Sequence, residues 1–291
     1  MSDTIQRAFV LGAGTMGAGI AEVSARAGIE TVLFDVNADA VKRGLGNIEK
    51  SLARAVEKGK LSADESERVR GRLRAVTTLD DAARADLVVE AVPEDMALKK
   101  KLFAELSAAN ALGILASNTS SLSVTEIAAA STRPERVIGL HFFNPPPIMP
   151  LLEIVRAEQT SAATLEAALA YAKRIGKDPI VVADSPGFAT SRLGIILGME
   201  AIRMLEAGVA SAADIDKAME LGYKHPMGPL KLTDLVGLDV RLAIAEHLTK
   251  ELGPQFTPPP LLRRLVRAGK VGKKSGEGFY RWVDGNAVAK A

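Results

Sequence analysis

Three histidines stand in this chain of 291 residues: His141, His225 and His247. His141 directly follows the apolar run Val137–Leu140, so it leaves the end of a strand. A secondary alcohol that loses hydride must also lose a proton, and an imidazole takes that proton near neutral pH. The ring is then cationic and gains from a carboxylate beside it. Glu153 is the candidate, a single acid inside the apolar run Leu151–Val155. A buried carboxylate without a partner is costly, so pairing with His141 would explain both residues. The other reading of Glu153 is an edge-strand position facing water. His247 falls in a helical stretch and His225 in the loop Gly222–Pro226; both read as structural.

Hydride also needs an acceptor. Phe9–Leu11 runs into Gly12-Ala13-Gly14-Thr15-Met16-Gly17, then into a helix-like stretch closed by Gly28, then into Thr31–Phe34 and Asp35. This is a strand, a glycine turn, a helix and a parallel strand. Gly12 permits the turn, Gly14 lets a pyrophosphate approach the backbone, and Gly17 lets the helix lie close on the strand. The helix N-terminus offers N–H groups and partial positive charge to phosphates. Asp35 lies at the offset where a carboxylate accepts from ribose hydroxyls. It would repel a 2′-phosphate, and Val36 and Asn37 supply no cation, so NAD is favoured over NADP.

The rest of the pattern has to bring these groups together. Strands are expected at Ala75–Thr77, Leu87–Val92, Gly113–Ala116, Val137–Leu140, Leu151–Val155 and Ile180–Val182, with helices at Asp95–Ala109, Val124–Ala130 and Ala162–Ile175. Ligands of an open α/β sheet sit at the carboxyl ends of its parallel strands. Gly12–Gly17, Asp35, Glu90–Glu94, Ser117–Ser121 and His141–Asn144 all fall at such ends. Between Ala38 and Arg72 a helical hairpin is inserted, with Val41, Leu45, Ile48, Leu52 and Val56 at helical spacing and a capping box at Ser62-x-x-Glu65. Its polar face carries Lys50, Ser51, Arg54 and Lys58, which by pattern alone reads as a solvated face. Asp184-Ser185-Pro186-Gly187 marks a boundary. The expected domains are thus 1–185, an α/β Rossmann-type dinucleotide-binding domain, and 186–291, an all-α domain for substrate and dimerisation. Helices are expected there at Leu193–Leu205, Asp214–Leu221, Leu235–Leu252 and Leu261–Ala268. The first is apolar enough to suggest a homodimer contact.

Bulk properties narrow the classes. The formal net charge is +2 and no basic tract carries interleaved aromatics, which argues against a nucleic-acid surface. There is no cysteine, hence no disulfide framework, thiolate nucleophile or Cys-ligated metal; no metal is expected, and a cytoplasmic location fits. The start M-S-D-T-I-Q-R has no apolar core of a signal peptide, and no run reaches membrane-spanning length.

At this point the chain resembles the 3-hydroxyacyl-CoA dehydrogenases, including the bacterial 3-hydroxybutyryl-CoA type. The resemblance rests on G-A-G-T-M-G-A-G-I from Gly12, V-V-E-A from Val88, A-S-N-T-S-S from Ala116, G-L-H-F-F-N-P from Gly139, L-L-E-I-V from Leu151, D-S-P-G-F from Asp184, H-P-M-G-P from His225 and G-K-K-S-G-E-G-F-Y from Gly272. It implies NAD-dependent, reversible oxidation of an L-3-hydroxyacyl-CoA, with short chains such as 3-hydroxybutyryl-CoA expected, in fatty-acid β-oxidation. It implies His141 as base, Glu153 as its partner and Ser120 between nicotinamide and substrate oxygen. It further implies cofactor contacts from Gly12–Gly17, Asp35, Glu94, Lys99, Ser120, Asn144 and Lys274, and coenzyme A contacts from Ser51 and Lys58, against the bland reading of that face. One position departs: Ser191 stands where the family carries an Asn that bonds the substrate's 3-oxygen. Serine still donates, but it is shorter. A same-fold dehydrogenase of a free hydroxy acid and a non-catalytic crystallin-like protein are the alternatives; Ser51 and Lys58 argue against the first, and intact His141, Glu153 and Ser120 against the second.

Overall fold

The computed structural model describes residues 5–110 and 112–290. Residues 1–4, the start of the stretch read above for a signal peptide, lie outside the described residues. By contacts the chain divides into two compact units, Met1–Ser185 and Pro186–Ala291.

The first unit runs β1 (Arg7–Leu11), α1 (Thr15–Arg26), β2 (Glu30–Phe34), α2 (Ala38–Glu57), α3 (Ala63–Gly71), β3 (Leu73–Val76), β4 (Leu87–Glu90), α4 (Met96–Ala109), β5 (Ile114–Ser117), α5 (Val124–Ala128), β6 (Val137–Phe142), β7 (Leu151–Arg156), α6 (Ala162–Arg174) and β8 (Asp178–Ala183). The sheet order is β3-β2-β1-β4-β5-β6-β7-β8. The first six strands in that order are parallel. β7 then runs antiparallel to β6, and β8 parallel to β7. The order reverses between β1 and β4, where a doubly wound sheet opens its ligand crevice. Val10, Leu87, Val89, Ala116 and Ile138 of the parallel strands are buried with Ile20 and Ala21 of α1 in one core.

Local chemistry explains the helix starts. Asn37 accepts from the N–H groups of Asp39 and Ala40 to cap α2. Ser62 and Glu65 form the expected capping box of α3, and Asp95 accepts from Leu98 to cap α4. α1 is different: its N-cap is Gly14 and no side chain caps it. Its first N–H groups are therefore left to another acceptor.

The second unit holds α7 (Thr190–Glu206), α8 (Ala212–Lys217), α9 (Pro229–Val236), α10 (Leu238–Leu252), α11 (Pro260–Arg267), β9 (Arg281–Val283) and β10 (Asn286–Val288). The stretch expected as one helix over 235–252 is two, because Gly237 takes φ 107° between α9 and α10. The second unit is helical, as expected, and carries in addition one short antiparallel hairpin, β9–β10. Its turn is Asp284-Gly285, at φ 49° and 81°, the dipeptide that a tight hairpin of this hand favours. The apolar residues of α7 are largely spent inside their own unit: Ile195, Met199 and Ile202 are fully buried in its core, whereas Leu193 is 68% exposed.

Two buried acids organise this unit. Asp234 accepts from the backbone N–H groups of Phe279 and Tyr280 and from Trp282 Nε1. Asp216 accepts from the N–H groups of Leu230 and Lys231 and from the Tyr280 hydroxyl. Burial raises the Asp234 carboxyl despite these donors. Among the described residues, no helix is long and apolar enough to cross a membrane.

Candidate active site

The glycine turn is built as its sequence requires. Gly12 takes φ 96°, and a Cβ there would lie 2.6 Å from the Ala91 carbonyl oxygen. A Cβ on Gly17 would lie 1.7 Å from the Gly12 carbonyl oxygen, so α1 can pack here only without a side chain. A Cβ on Gly14 would meet nothing within 4 Å. Gly14 and Thr15 are exposed, Met16 is half-buried and Ala13 is buried. Open space in front of Gly14, above the uncapped start of α1, suits a pyrophosphate. Asp35 is tied to this turn, its Oδ2 accepting from Ala13 N at 2.9 Å and its Oδ1 from Asn37 N at 3.0 Å. The donors and the acid present fit NAD.

At the ends of β4 and β5 the polar residues form one network. Glu94 Oε1 accepts from Ser120 N at 2.7 Å, Ser120 Oγ at 3.2 Å and Thr119 Oγ1 at 3.0 Å. Lys99 is only 1% exposed; its Nζ lies 2.6 Å from Glu90 and 3.3 Å from Glu94. Glu90 also accepts from Ser117 Oγ at 2.6 Å. Lys99, expected as a cofactor contact, is thus enclosed, and its place in the network is to hold Glu94, which in turn holds Ser120. A lysine with both acids is a buried charge with its partners supplied.

His141 and Glu153 are directly opposed in the antiparallel register of β6 and β7. His141 Nδ1 lies 2.6 Å from Glu153 Oε2. Glu153 is fully buried, between β6 and β8 rather than at a sheet edge, which removes the water-facing reading. Phe143 packs on the imidazole with ring centroids 4.5 Å apart. Asn118 Oδ1 accepts from Phe142 N and secures the end of β6 beside β5. Asn144, in cis peptide linkage to Pro145, is exposed just beyond it.

The hairpin face read by pattern as solvated lines a cavity of about 670 Å³. Arg26, Lys50, Arg54, Lys58 and Lys60 supply cations to its wall, Ser51 lies between them, and Pro145–Pro147 close one side. The acid on the wall is Glu22, 1% exposed. It accepts from Ser51 Oγ at 3.0 Å and pairs with Arg26 at 3.2 Å. Burial nevertheless raises its carboxyl above the usual range, with Ser51 and Arg26 opposing. Glu22 and Glu90 had no assigned role at the level of sequence. The available signal was an acid inside an otherwise apolar helix face or strand end, where it needs a partner.

Ser191 and Lys274 belong to the second unit. Ser191 sits in the first turn of α7, half-buried. Lys274 is exposed and pairs with Asp239 at 2.7 Å.

A glycine-turn dinucleotide site at the switch of a doubly wound sheet, with a histidine–carboxylate pair at a nearby strand end, defines a nicotinamide-dependent dehydrogenase. Residues 7–185 match the 3-hydroxyacyl-CoA dehydrogenase NAD-binding domain, and residues 187–282 match the 3-hydroxyacyl-CoA dehydrogenase C-terminal domain. The chain belongs to the 3-hydroxyacyl-CoA dehydrogenase family. It is 48% identical over 286 residues to a 3-hydroxybutyryl-CoA dehydrogenase of Mycobacterium tuberculosis, covering 97% of this chain and 100% of that one. It is 43% identical to the mitochondrial hydroxyacyl-coenzyme A dehydrogenase of Sus scrofa, over 96% of this chain and 91% of the relative. The crystal structure of (S)-3-hydroxybutyryl-CoA dehydrogenase from Ralstonia eutropha superposes with a TM-score of 0.93 at 41% identity, over 97% of this chain and 100% of that one. The chain is an NAD-dependent 3-hydroxyacyl-CoA dehydrogenase.

Proposed function

We propose that the enzyme takes short L-3-hydroxyacyl-CoA thioesters, 3-hydroxybutyryl-CoA among them, and that His141 is its general base. The observation that carries this reading is the 2.6 Å contact between His141 Nδ1 and Glu153. With Glu153 accepting from Nδ1–H, the ring's basic lone pair is on Nε2, where it takes the 3-hydroxyl proton. Glu153 then faces an imidazolium across the same contact and stabilises it. NAD, which Gly12–Gly17 and Asp35 would hold, would supply the hydride acceptor for C3. In reduction, protonated His141 returns its proton while Ser120 and Ser191 donate to the carbonyl oxygen. Glu94 supports Ser120 by accepting from both its N–H and its hydroxyl.

The coenzyme A moiety is assigned to the cavity beside α2, with Ser51 and Lys58 as its contacts. Five cations against one buried acid on that wall suit a ligand bearing several phosphate charges. Asn144 and Lys274 complete the assigned cofactor contacts. A homodimer through the second unit is part of the proposal, supported by the exposed apolar side chains of Leu193, Leu235, Val236 and Val240. So is a cytoplasmic location, in keeping with a chain that has no cysteine.

The test is an NADH absorbance assay across 3-oxoacyl-CoA esters, with wild type and Ser191→Asn. Turnover of the CoA esters with free 3-oxo acids far slower supports the reading. Equal turnover of free and CoA-linked substrates overturns the assignment of the cationic cavity. If Ser191 donates to the 3-oxygen, Ser191→Asn changes kcat with little change in the NADH KM.

A further inference from the structure

Lys99 is a buried cation at the strand ends of the first unit, and two acids share it unequally. Its Nζ lies 2.6 Å from Glu90 Oε1 and 3.3 Å from Glu94 Oε2. The Lys99 and Glu90 side chains are each 1% exposed, whereas that of Glu94 is 41% exposed. Glu90 has further donors around it: Oε1 accepts from Val92 N at 2.8 Å and Oε2 from Ser117 Oγ at 2.6 Å. It is held rigidly and enclosed, so it acts on the crevice only through Lys99 and Glu94.

The count of charges decides what the outer acid does. One ammonium meets two carboxylates, so the cluster carries a formal charge of −1. A single acid is enough to neutralise a buried lysine; the second makes the cluster an anion. Glu90 is the nearer and the drier of the two, and attraction between charges is strongest away from water. Glu90 therefore takes up the Lys99 charge, and the surplus negative charge resides on Glu94. Without Glu90, Lys99 would cancel Glu94 instead. Glu94 Oε1 accepts from the N–H and the hydroxyl of Ser120, the residue assigned above to the nicotinamide and the substrate oxygen. The surplus charge thus stands directly behind the group that meets the ring. An oxidised nicotinamide ring is a cation and a reduced one is neutral, while the rest of the dinucleotide is the same in both. A net anion behind Ser120 favours the first and is indifferent to the second.

We propose that Glu90, by neutralising Lys99, keeps Glu94 an uncompensated anion and so sets the preference of the site for the oxidised over the reduced cofactor. Glu90 is a positioning residue for that charge. This rests on the placement of Ser120 at the nicotinamide given above.

The test measures the Kd of NAD+, NADH and ADP-ribose by titration calorimetry, with no acyl-CoA present. Glu90→Gln keeps acceptors for the Val92 N–H and the Ser117 hydroxyl and removes one charge. The Kd of NAD+ is expected to rise relative to that of NADH by about 3- to 10-fold, the size of a unit charge acting at about 10 Å across a partly wet site. ADP-ribose, which has no ring, is expected to bind wild type and variant alike. Glu90→Gln combined with Lys99→Met removes both members of the buried pair, returns the formal charge to −1 and is expected to restore the wild-type ratio. Glu94→Gln changes an exposed side chain and is expected to shift the ratio in the same direction as Glu90→Gln. It carries the test if the buried variant does not fold, and an unchanged ratio there overturns the inference. Equal weakening of NAD+ and NADH by Glu90→Gln makes Glu90 a support of the fold alone and overturns it too, as does a ratio that the double variant leaves shifted. Should Ser120→Ala alter the Kd of NADH no more than that of ADP-ribose, it is the placement of Ser120 at the ring that fails, and the inference with it.

Discussion

His141 and Glu153 are paired positions of two antiparallel strands, with 2.6 Å between Nδ1 and Oε2. The contact joins a ring at the strand end to an acid that is fully buried, so the two side chains act as one unit. His141→Gln is expected to lower kcat by about 10²–10⁴, the usual share of a general base. Glu153→Gln is expected to lower kcat less and to leave the NADH Kd unchanged, since neither residue belongs to the glycine turn. Stopped-flow turnover with cofactor binding by fluorescence separates the two effects. Near-normal kcat in His141→Gln would end the assignment.

Asp35 bonds the glycine turn itself through Ala13 N–H. Asp35→Asn keeps an acceptor there and removes the charge. The KM for NADH should rise about tenfold, and NADPH should become a usable cofactor as repulsion of the 2′-phosphate disappears. Steady-state kinetics with both reductants decides; unchanged discrimination would dissociate Asp35 from cofactor choice.

Glu22 gives a pH signature. Its carboxyl is raised, first by burial, with Ser51 and Arg26 pulling the other way. A raised acid holds its proton more tightly folded than unfolded. Stability is therefore lost as pH rises from the unfolded value of 4.5 through the folded one. Glu22→Gln removes that loss, so its Tm relative to wild type should be higher at pH 7 than at pH 4. Differential scanning calorimetry at the two pH values measures this, and a gap that narrows at pH 7 contradicts it.

Asp234 ties the end of the second unit to its helices. Asp234→Ala leaves the N–H groups of Phe279 and Tyr280 and the Trp282 indole without their acceptor. A cost of about 3 kcal/mol or more is expected. Urea unfolding followed by the fluorescence of Trp282, the single tryptophan of the chain, reports it directly.

The nucleotide-binding half was legible because its determinants are local. Gly12, Gly14, Gly17 and Asp35 lie within one strand–helix–strand unit, where spacing alone dictates geometry. The capping box at Ser62 and Glu65 is local for the same reason. The joint at Gly237 and the β9–β10 hairpin escaped that reading although their signals, a glycine at positive φ and an Asp-Gly turn, are also short; apolar periodicity over 235–252 outweighed the first, and the helical pattern around it hid the second.

What the sequence by itself determined was the glycine turn, the acid bonded to it and a histidine at the end of a strand. Tertiary structure alone decided that Glu153 is interior rather than at an edge, that Glu22 and Ser51 share a cavity wall, and that Glu94 holds Ser120. Each of these depends on register or packing between segments far apart in the chain, where a single-residue slip would turn the side chain to the opposite face.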